Sequence, residues 1–162
     1  MKKIILAVAL LVTSLSNAQA FKGKDDNKAQ VGANIQKGGT GIFVSYDYGL
    51  GENMSVGATS SFLLGGSDGV NASDIAFKDK FDLKARFNAN IGNVLNFDKK
   101  LDLYPGLDLG LKNFGAHLGA RYFFTEGFGL FSEIGFPLAK YNKNDNDYNN
   151  QFVFNIGASF NL

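Results

Sequence analysis

Residues 151–162 read Gln-Phe-Val-Phe-Asn-Ile-Gly-Ala-Ser-Phe-Asn-Leu. Successive side chains of an extended chain point to opposite sides. Phe152, Phe154, Ile156, Ala158, Phe160 and Leu162 therefore share one face, and Val153, Asn155, Gly157, Ser159 and Asn161 share the other. One face is oily and bulky; the other is small and polar. The segment is also long, roughly twice the five or six residues of an ordinary soluble strand. It suits the roughly 9–11 residues that a tilted strand needs to cross a bilayer.

The same alternation recurs upstream. Ala29, Val31, Ala33 and Ile35 alternate with Gln30, Gly32, Asn34 and Gln36, and Lys37-Gly38-Gly39 reads as a tight hairpin. Ile42, Val44, Tyr46, Tyr48 and Leu50 oppose Gly41, Phe43, Ser45, Asp47 and Gly49, followed by a turn at 51–53. Val56, Ala58, Ser60, Phe62 and Leu64 form the apolar face of a third strand, and residues 65–79 a long polar connection. Phe81, Leu83, Ala85, Phe87, Ala89 and Ile91 oppose Lys80, Asp82, Lys84, Arg86, Asn88 and Asn90. After a connection over 92–100, Leu101, Leu103, Leu107, Leu109 and Leu111 oppose Asp102, Tyr104, Gly106, Asp108, Gly110 and Lys112. Pro105 removes one ladder donor from that strand, which predicts a bulge there. Ala116, Leu118, Ala120 and Tyr122 oppose Gly115, His117, Gly119 and Arg121, with a turn at 124–127. Phe128, Leu130, Ser132, Ile134 and Phe136 oppose Gly129, Phe131, Glu133 and Gly135, and residues 139–150 form a second polar loop before the last strand. The count is eight strands, expected to run antiparallel and up-and-down in an all-β fold.

Two closed barrels satisfy such alternation, one apolar inside and one apolar outside. Volume favours the second, because an eight-stranded interior cannot hold five or six large apolar residues from every strand. Glycine favours it too. Gly32, Gly41, Gly57, Gly106, Gly110, Gly119, Gly129, Gly135 and Gly157 all fall on the polar face, where they make room in a crowded interior. In lipid every backbone N–H and C=O needs an internal partner, so the sheet must close. The expectation is an eight-stranded transmembrane β-barrel. With the N-terminus in the periplasm, the turns at 51–53, 92–100 and 124–127 lie inside and the loops 65–79 and 139–150 face outward. Tyr48, Tyr122, Phe128 and Phe160 would then ring the inner interface, and Phe62, Phe81, Phe114, Phe136 and Phe152 the outer one.

The N-terminus reads as an export signal. Lys2 and Lys3 precede an apolar run too short for a membrane helix, and Ala18-Gln19-Ala20 offers a cleavage site. The expected division is a signal peptide over 1–20 and a barrel domain over 21–162, with 21–27 a short charged leader. Removing Lys2 and Lys3 from the 16 basic residues leaves 14 against 15 acidic ones, a balance with no footprint for nucleic acid. There are no cysteines, which excludes disulfides, thiolate metal sites and thiol nucleophiles. Glycine supplies 20 residues and phenylalanine 16, yet no window after residue 20 keeps a helical period for three turns.

Two resemblances follow from quoted residues. Asn155, Gly157, Phe160 and the final Leu162 resemble the C-terminal assembly signal of bacterial outer-membrane barrels, which implies the barrel-assembly machinery as a partner. Lys-Ala-Arg-Phe-Asn (84–88), Leu-Tyr-Pro-Gly-Leu (103–107), Gly-Ala-Arg-Tyr-Phe-Phe-Thr-Glu (119–126) and Gly-Leu-Phe-Ser-Glu-Ile-Gly (129–135) look like the small outer-membrane barrels of flavobacteria and other Bacteroidota. These have an OmpA/OmpX-like architecture. The resemblance implies the outer membrane of a Gram-negative cell, lipid as solvent and a monomeric barrel; that family has no agreed activity. No wall-binding domain is expected after Leu162.

Asp82, Lys84, Arg86, Asp108, Arg121 and Glu133 all point inward on this reading. Charges sealed in a low-dielectric interior must be paired, and the expectation is a salt-bridge plug rather than an ion path. His117, the single histidine, also faces inward, but no serine lies near it in sequence, and catalysis is not expected. Asp145, Asp147 and Asn149 mimic the start of a calcium loop, but Asn150 stands where glycine is required and a solvated loop is expected. Asn71-Ala72-Ser73 matches a glycosylation sequon without meaning in a bacterium, and Gly115-x-x-x-Gly119 lies on a strand. No cofactor or metal is expected. The functional expectation is a structural or surface-interaction barrel with loops 65–79 and 139–150 as its contact surface. A small channel or hydrophobic-solute conduit is the first alternative, a lipid-modifying enzyme the second.

Overall fold

The computed structural model describes residues 19–66, 75–92, 94–95, 98–141 and 148–162. The export-signal residues 1–18, the sequon 71–73, and Asp145 and Asp147 lie outside the described residues. Eight strands follow in order: β1 (Asn27–Gln36), β2 (Gly39–Gly51), β3 (Met54–Gly66), β4 (Phe81–Ala89), β5 (Leu101–Gly110), β6 (Asn113–Phe123), β7 (Phe128–Lys140) and β8 (Val153–Asn161). Each pairs antiparallel with the next, and β8 returns to β1 with Ala33 opposite Ile156, so the sheet is a closed up-and-down barrel. Closure leaves no unpaired edge, which is what a strand in hydrocarbon requires.

Burial follows the two-residue period. Along β2, burial alternates at every residue from Gly39 to Leu50. The buried side of the barrel carries Gln30, Asn34, Asp47, Asp82, Arg86, Asn88, Asp102, His117, Arg121 and Glu133. The open side carries Val31, Ile42, Val44, Leu83, Phe87, Leu107, Leu118, Leu130 and Ile156, each about half exposed. This polarity is inverted relative to a soluble barrel: the apolar surface is outside, where only lipid makes its exposure favourable. Interior glycines admit their large neighbours. A Cβ on Gly119 would collide with the Tyr104 ring, and one on Gly106 with the His117 ring.

Two expectations need correction. Pro105 makes no bulge: it pairs in register with Leu118 of β6. On its other side the β4 ladder stops at Asn88–Gly106, and Ile91 N–H donates to Leu103 O beyond it at the same offset. The proline therefore removes a rung without adding a residue. The bulge belongs to Pro137 instead, because Phe114 pairs with Ala139 and Gly115 with Pro137, leaving Leu138 unpaired. Secondly, the two polar loops are shorter than expected. β3 runs through Gly66, β7 through Lys140, and Phe77–Lys80 forms one helical turn, α1. Phe77 of α1 stacks on Phe81 and lies tilted against Phe62, both at 5.9 Å, an apolar contact that the loop composition hid.

The leader, read from the sequence as a short charged stretch, packs against the barrel. Positive φ at Gly23 and Asp25 folds it back under the barrel, and Phe21 is buried. Lys22 N–H donates to the Asp26 carboxylate, and Gly49 N–H to Asp26 O. Lys28 pairs with Asp26 and faces the Phe21 and Phe123 rings. A segment that reads as polar thus fills the lower mouth, here the end at which β2, β4, β6 and β8 finish. Around that mouth Tyr122, Phe124, Phe128 and Phe160 form a continuous aromatic arc, and Tyr46 and Tyr48 donate to Asn27 and Asp25.

Candidate functional site

The lumen is the place where chemistry-bearing residues converge. Register sets the starting positions: Arg86 stands opposite Asp108, Arg121 opposite Asp102, and Tyr104 opposite Gly119. Long side chains then reach beyond these neighbours. Arg86 Nη2 is 2.6 Å from Glu133 Oε2 on β7, and its Nε is 3.5 Å from Asp47 Oδ1 on β2. Arg121 Nη2 is 2.9 Å from Asp102 Oδ2, and its Nη1 is 3.5 Å from Asp47 Oδ2. Asp47 therefore bridges the two guanidinium groups across the barrel.

Tyr104 occupies the space between them. Its ring centre is 4.6 Å from the Arg121 guanidinium carbon and 5.7 Å from that of Arg86. Gln30 Nε2 donates to the phenol oxygen at 3.2 Å, and Ser45 Oγ donates to Gln30 Oε1 at 2.8 Å. Tyr104 and both arginines are fully or almost fully buried. Such groups lose bulk hydration, and mutual pairing is what makes their burial tolerable. A cation over an aromatic face adds further attraction in a site stripped of water.

His117 is held on both ring nitrogens. Nδ1 lies 3.0 Å from Asp108 Oδ2, and Nε2 lies 2.8 Å from Asn88 Oδ1 and 2.9 Å from Arg86 Nη2. Asn88 in turn donates to Ser55 Oγ, and Ser55 donates to Asn90 Oδ1, each at 3.0 Å. The ring thus reads as one node of a connected polar layer, with its lone pair or proton already committed.

Above this layer sits a cavity of about 30 Å³ lined by Asp82, Lys84, Asp108, Glu133, Asn34 and Asn155, among others. That volume accommodates about one or two waters. Asn149 closes the upper end. With φ +64° it donates its backbone N–H to Gln36 Oε1 at 2.7 Å, and its Oδ1 accepts from Gln36 and Ser61. Asn113 reaches the same lid through Asn149 O and Asn150 Oδ1, both at 3.0 Å. Asn149 and Asn150 are buried, so the solvated calcium-loop reading is corrected at these two positions.

Of the six inward charges named from sequence, Arg86, Glu133 and Arg121 meet in the central layer. Asp108 joins it through His117, while Lys84 lies 3.7 Å from Asp82 beside the upper cavity. The set omits Asp47 and Asp102, whose places on the polar face of β2 and β5 were the available signal, as well as Tyr104 and Asn149. Among the described residues, no group of three or more His, Cys, Asp or Glu is placed to hold a metal ion. Asn155 of the terminal strand donates to Glu133 at 3.3 Å and accepts from Asn34 at 2.7 Å. Gly157 packs against Gly32 across the closing seam, and Phe160 joins the lower aromatic arc 5.7 Å from Phe128.

Comparison with known proteins adds the following. Residues 11–162 match the model of a family described as a family of unknown function (DUF6646). No curated protein matches the sequence. A solved chain described as "De novo design of transmembrane beta-barrels" is similar at TM-score 0.59 and 11% identity, covering 87% of this chain and 98% of that one. At that identity the likeness is one of fold.

Proposed function

The chain belongs to the family of unknown function DUF6646, and from its sealed lumen we propose that it is a structural or surface-interaction barrel of the outer membrane. The observation that carries this reading is the Arg86–Tyr104–Arg121 stack, tied by Asp47, Asp102 and Glu133 across a lumen only eight strands wide. Side chains bonded to one another across the lumen occupy the space that a water path would need, which argues against the channel reading. His117, committed to Asp108, Asn88 and Arg86, argues against enzymatic use, since a base must be able to reach a nucleophile.

On this reading the chain is an OmpA/OmpX-like monomer of the flavobacterial kind, exported by a signal peptide ending at Ala20. It is delivered to the assembly machinery through the β8 pattern Asn155, Gly157, Phe160 and Leu162. Its surroundings are outer-membrane lipids, and its contacts with other molecules run through the connections between β3 and β4 and between β7 and β8. The apolar outer face and the likeness to a transmembrane barrel fold support the location.

Planar-bilayer recording tests the central point. The refolded full chain is expected to give no resolvable current steps, whereas removal of the plug in Arg86→Ala or Glu133→Ala raises leak. Regular steps from the unaltered protein would establish the channel reading instead.

A further inference from the structure

His117 meets opposite demands at one of its ring nitrogens. Nδ1 has no conflict: Asp108 Oδ2 on β5, an acceptor, lies 3.0 Å away, so Nδ1 carries a proton. At Nε2 a donor and an acceptor are both within reach. Arg86 Nη2 lies 2.9 Å away and has only hydrogens to give, while Asn88 Oδ1 lies 2.8 Å away and has only lone pairs. Turning the Asn88 amide over does not remove the conflict, because its Oδ1 also accepts from Arg86 Nε at 3.2 Å and its Nδ2 donates to Ser55 Oγ. A bare Nε2 accepts from Arg86 and turns its lone pair on the Asn88 oxygen. A protonated Nε2 donates to Asn88 and sets its hydrogen against the arginine.

The two neighbours lead into different halves of the lumen. Through Asn88 the hydrogen bonds run to Ser55, Asn90 and Asp102, toward the lower mouth. Through Arg86 they run to Glu133, Asn155, Asn34 and Gln36, and so to Asn149 at the upper end. Histidine ordinarily changes charge between about pH 5 and 8, so one proton decides which half the ring joins. Other titratable groups surround it. Tyr104 on β5 is 6.2 Å away between ring centres, and beyond Arg86 stand Glu133 on β7 and Asp47 on β2. Asp82 and Lys84 on β4 line the cavity above Asp108, and Arg121, on the ring's own strand, packs on Tyr104.

We propose that His117 is a proton-operated switch in the lumen. As the imidazole it takes the Arg86 Nη2–H and joins the upper half of the network. As the imidazolium it donates Nε2–H to Asn88 and joins the lower half, leaving Arg86 to Glu133 and Asp47. Asp108 holds the neutral ring in the form that carries its proton on Nδ1. The switch works inside the sealed plug described above and goes beyond it, giving one barrel two hydrogen-bond states.

The test is nitrogen NMR of the full refolded chain in detergent micelles, titrated across the histidine range. The chain has one histidine, so its ring signals assign themselves. At the alkaline end the ring should show N–H at Nδ1 and a bare Nε2; at the acid end, N–H at both. The Arg86 Nε and Asn88 Nδ2 signals should shift with the same midpoint as the ring and stay flat in His117→Gln. In Asp108→Asn the neutral ring should lose its preference for Nδ1. A neutral ring protonated on Nε2, a ring that keeps one form throughout, Arg86 and Asn88 signals that ignore it, or an unchanged preference in Asp108→Asn each overturns the proposal. Should His117→Gln fail to fold, the Arg86 and Asn88 signals of the unaltered protein still decide. Regular current steps in planar bilayers would fail the sealed-lumen reading, whereas a silent barrel with an unresponsive ring fails only this proposal.

Discussion

The guanidinium of Arg121 lies on the face of the Tyr104 ring, 4.6 Å from its centre, and the same ring meets Arg86 from another side at 5.7 Å. Two cations sharing one aromatic ring repel each other unless carboxylates intervene. Asp47 contacts both, Asp102 holds Arg121 and Glu133 holds Arg86. The layer is a closed unit of mutual compensation, and it is the structural reason the barrel is filled rather than hollow.

Tyr104 should therefore be more important as a ring than as a phenol. Tyr104→Phe loses only the hydrogen bond from Gln30 and should cost about 1 kcal/mol. Tyr104→Ala removes a fully buried ring and should cost about 3–5 kcal/mol. Urea unfolding of the refolded protein in detergent micelles distinguishes them; equal losses would mean the ring packs against nothing.

Gly119 is the counterpart of that ring across the β5–β6 pair. Gly119→Ala places a methyl group in the Tyr104 ring and should cost about 1–3 kcal/mol through overpacking. Gly127→Ala, in a turn with open space around it, should stay within about 0.5 kcal/mol. The temperature at which the folded band on a semi-native gel is lost reports both; a neutral Gly119→Ala would show that Tyr104 is free to move.

Leu118 is at the centre of β6 on the outer face and 47% exposed. In water, Leu118→Arg would be nearly neutral. In a bilayer it should cost about 2–4 kcal/mol, while Tyr141→Arg at the upper rim should cost about 0–1 kcal/mol. Refolding yield and unfolding midpoint in vesicles measure the contrast. A harmless Leu118→Arg would remove the case for lipid as the solvent of this face.

Strand existence, strand number and the side facing outward were legible because they depend on a two-residue period, which is local geometry. Phe152, Phe154 and Ile156 declare their face from their own neighbours, and a shift of one residue would invert it. Aromatic positions such as Phe128 and Phe160 were legible for the same reason. The extent of the polar loops was not. α1 is too short to have a period, and its Phe77 finds Phe62 and Phe81 only once β3 and β4 are side by side.

The partners within the lumen belong to another order of information. That Arg86, Arg121, Asp108 and Glu133 point inward follows from alternation, and so do Asp47 and Asp102. Which carboxylate meets which guanidinium depends on the stagger of eight strands around a closed sheet and on how far each long side chain reaches across it. Alternation cannot give that stagger. Arg86 passes its register neighbour Asp108 to reach Glu133, and Asp108 is taken by His117. Pro105 and Pro137 differ for a related reason: one faces a ladder that has already ended, while the other sits beside the spare residue, Leu138, of its own strand. The amino-acid sequence by itself determined which side of every strand faces outward, because that is written in each strand's own period. Only the tertiary structure decided how the sealed charges pair and where the leader ends up, because those contacts join residues from opposite walls and from beyond the sheet.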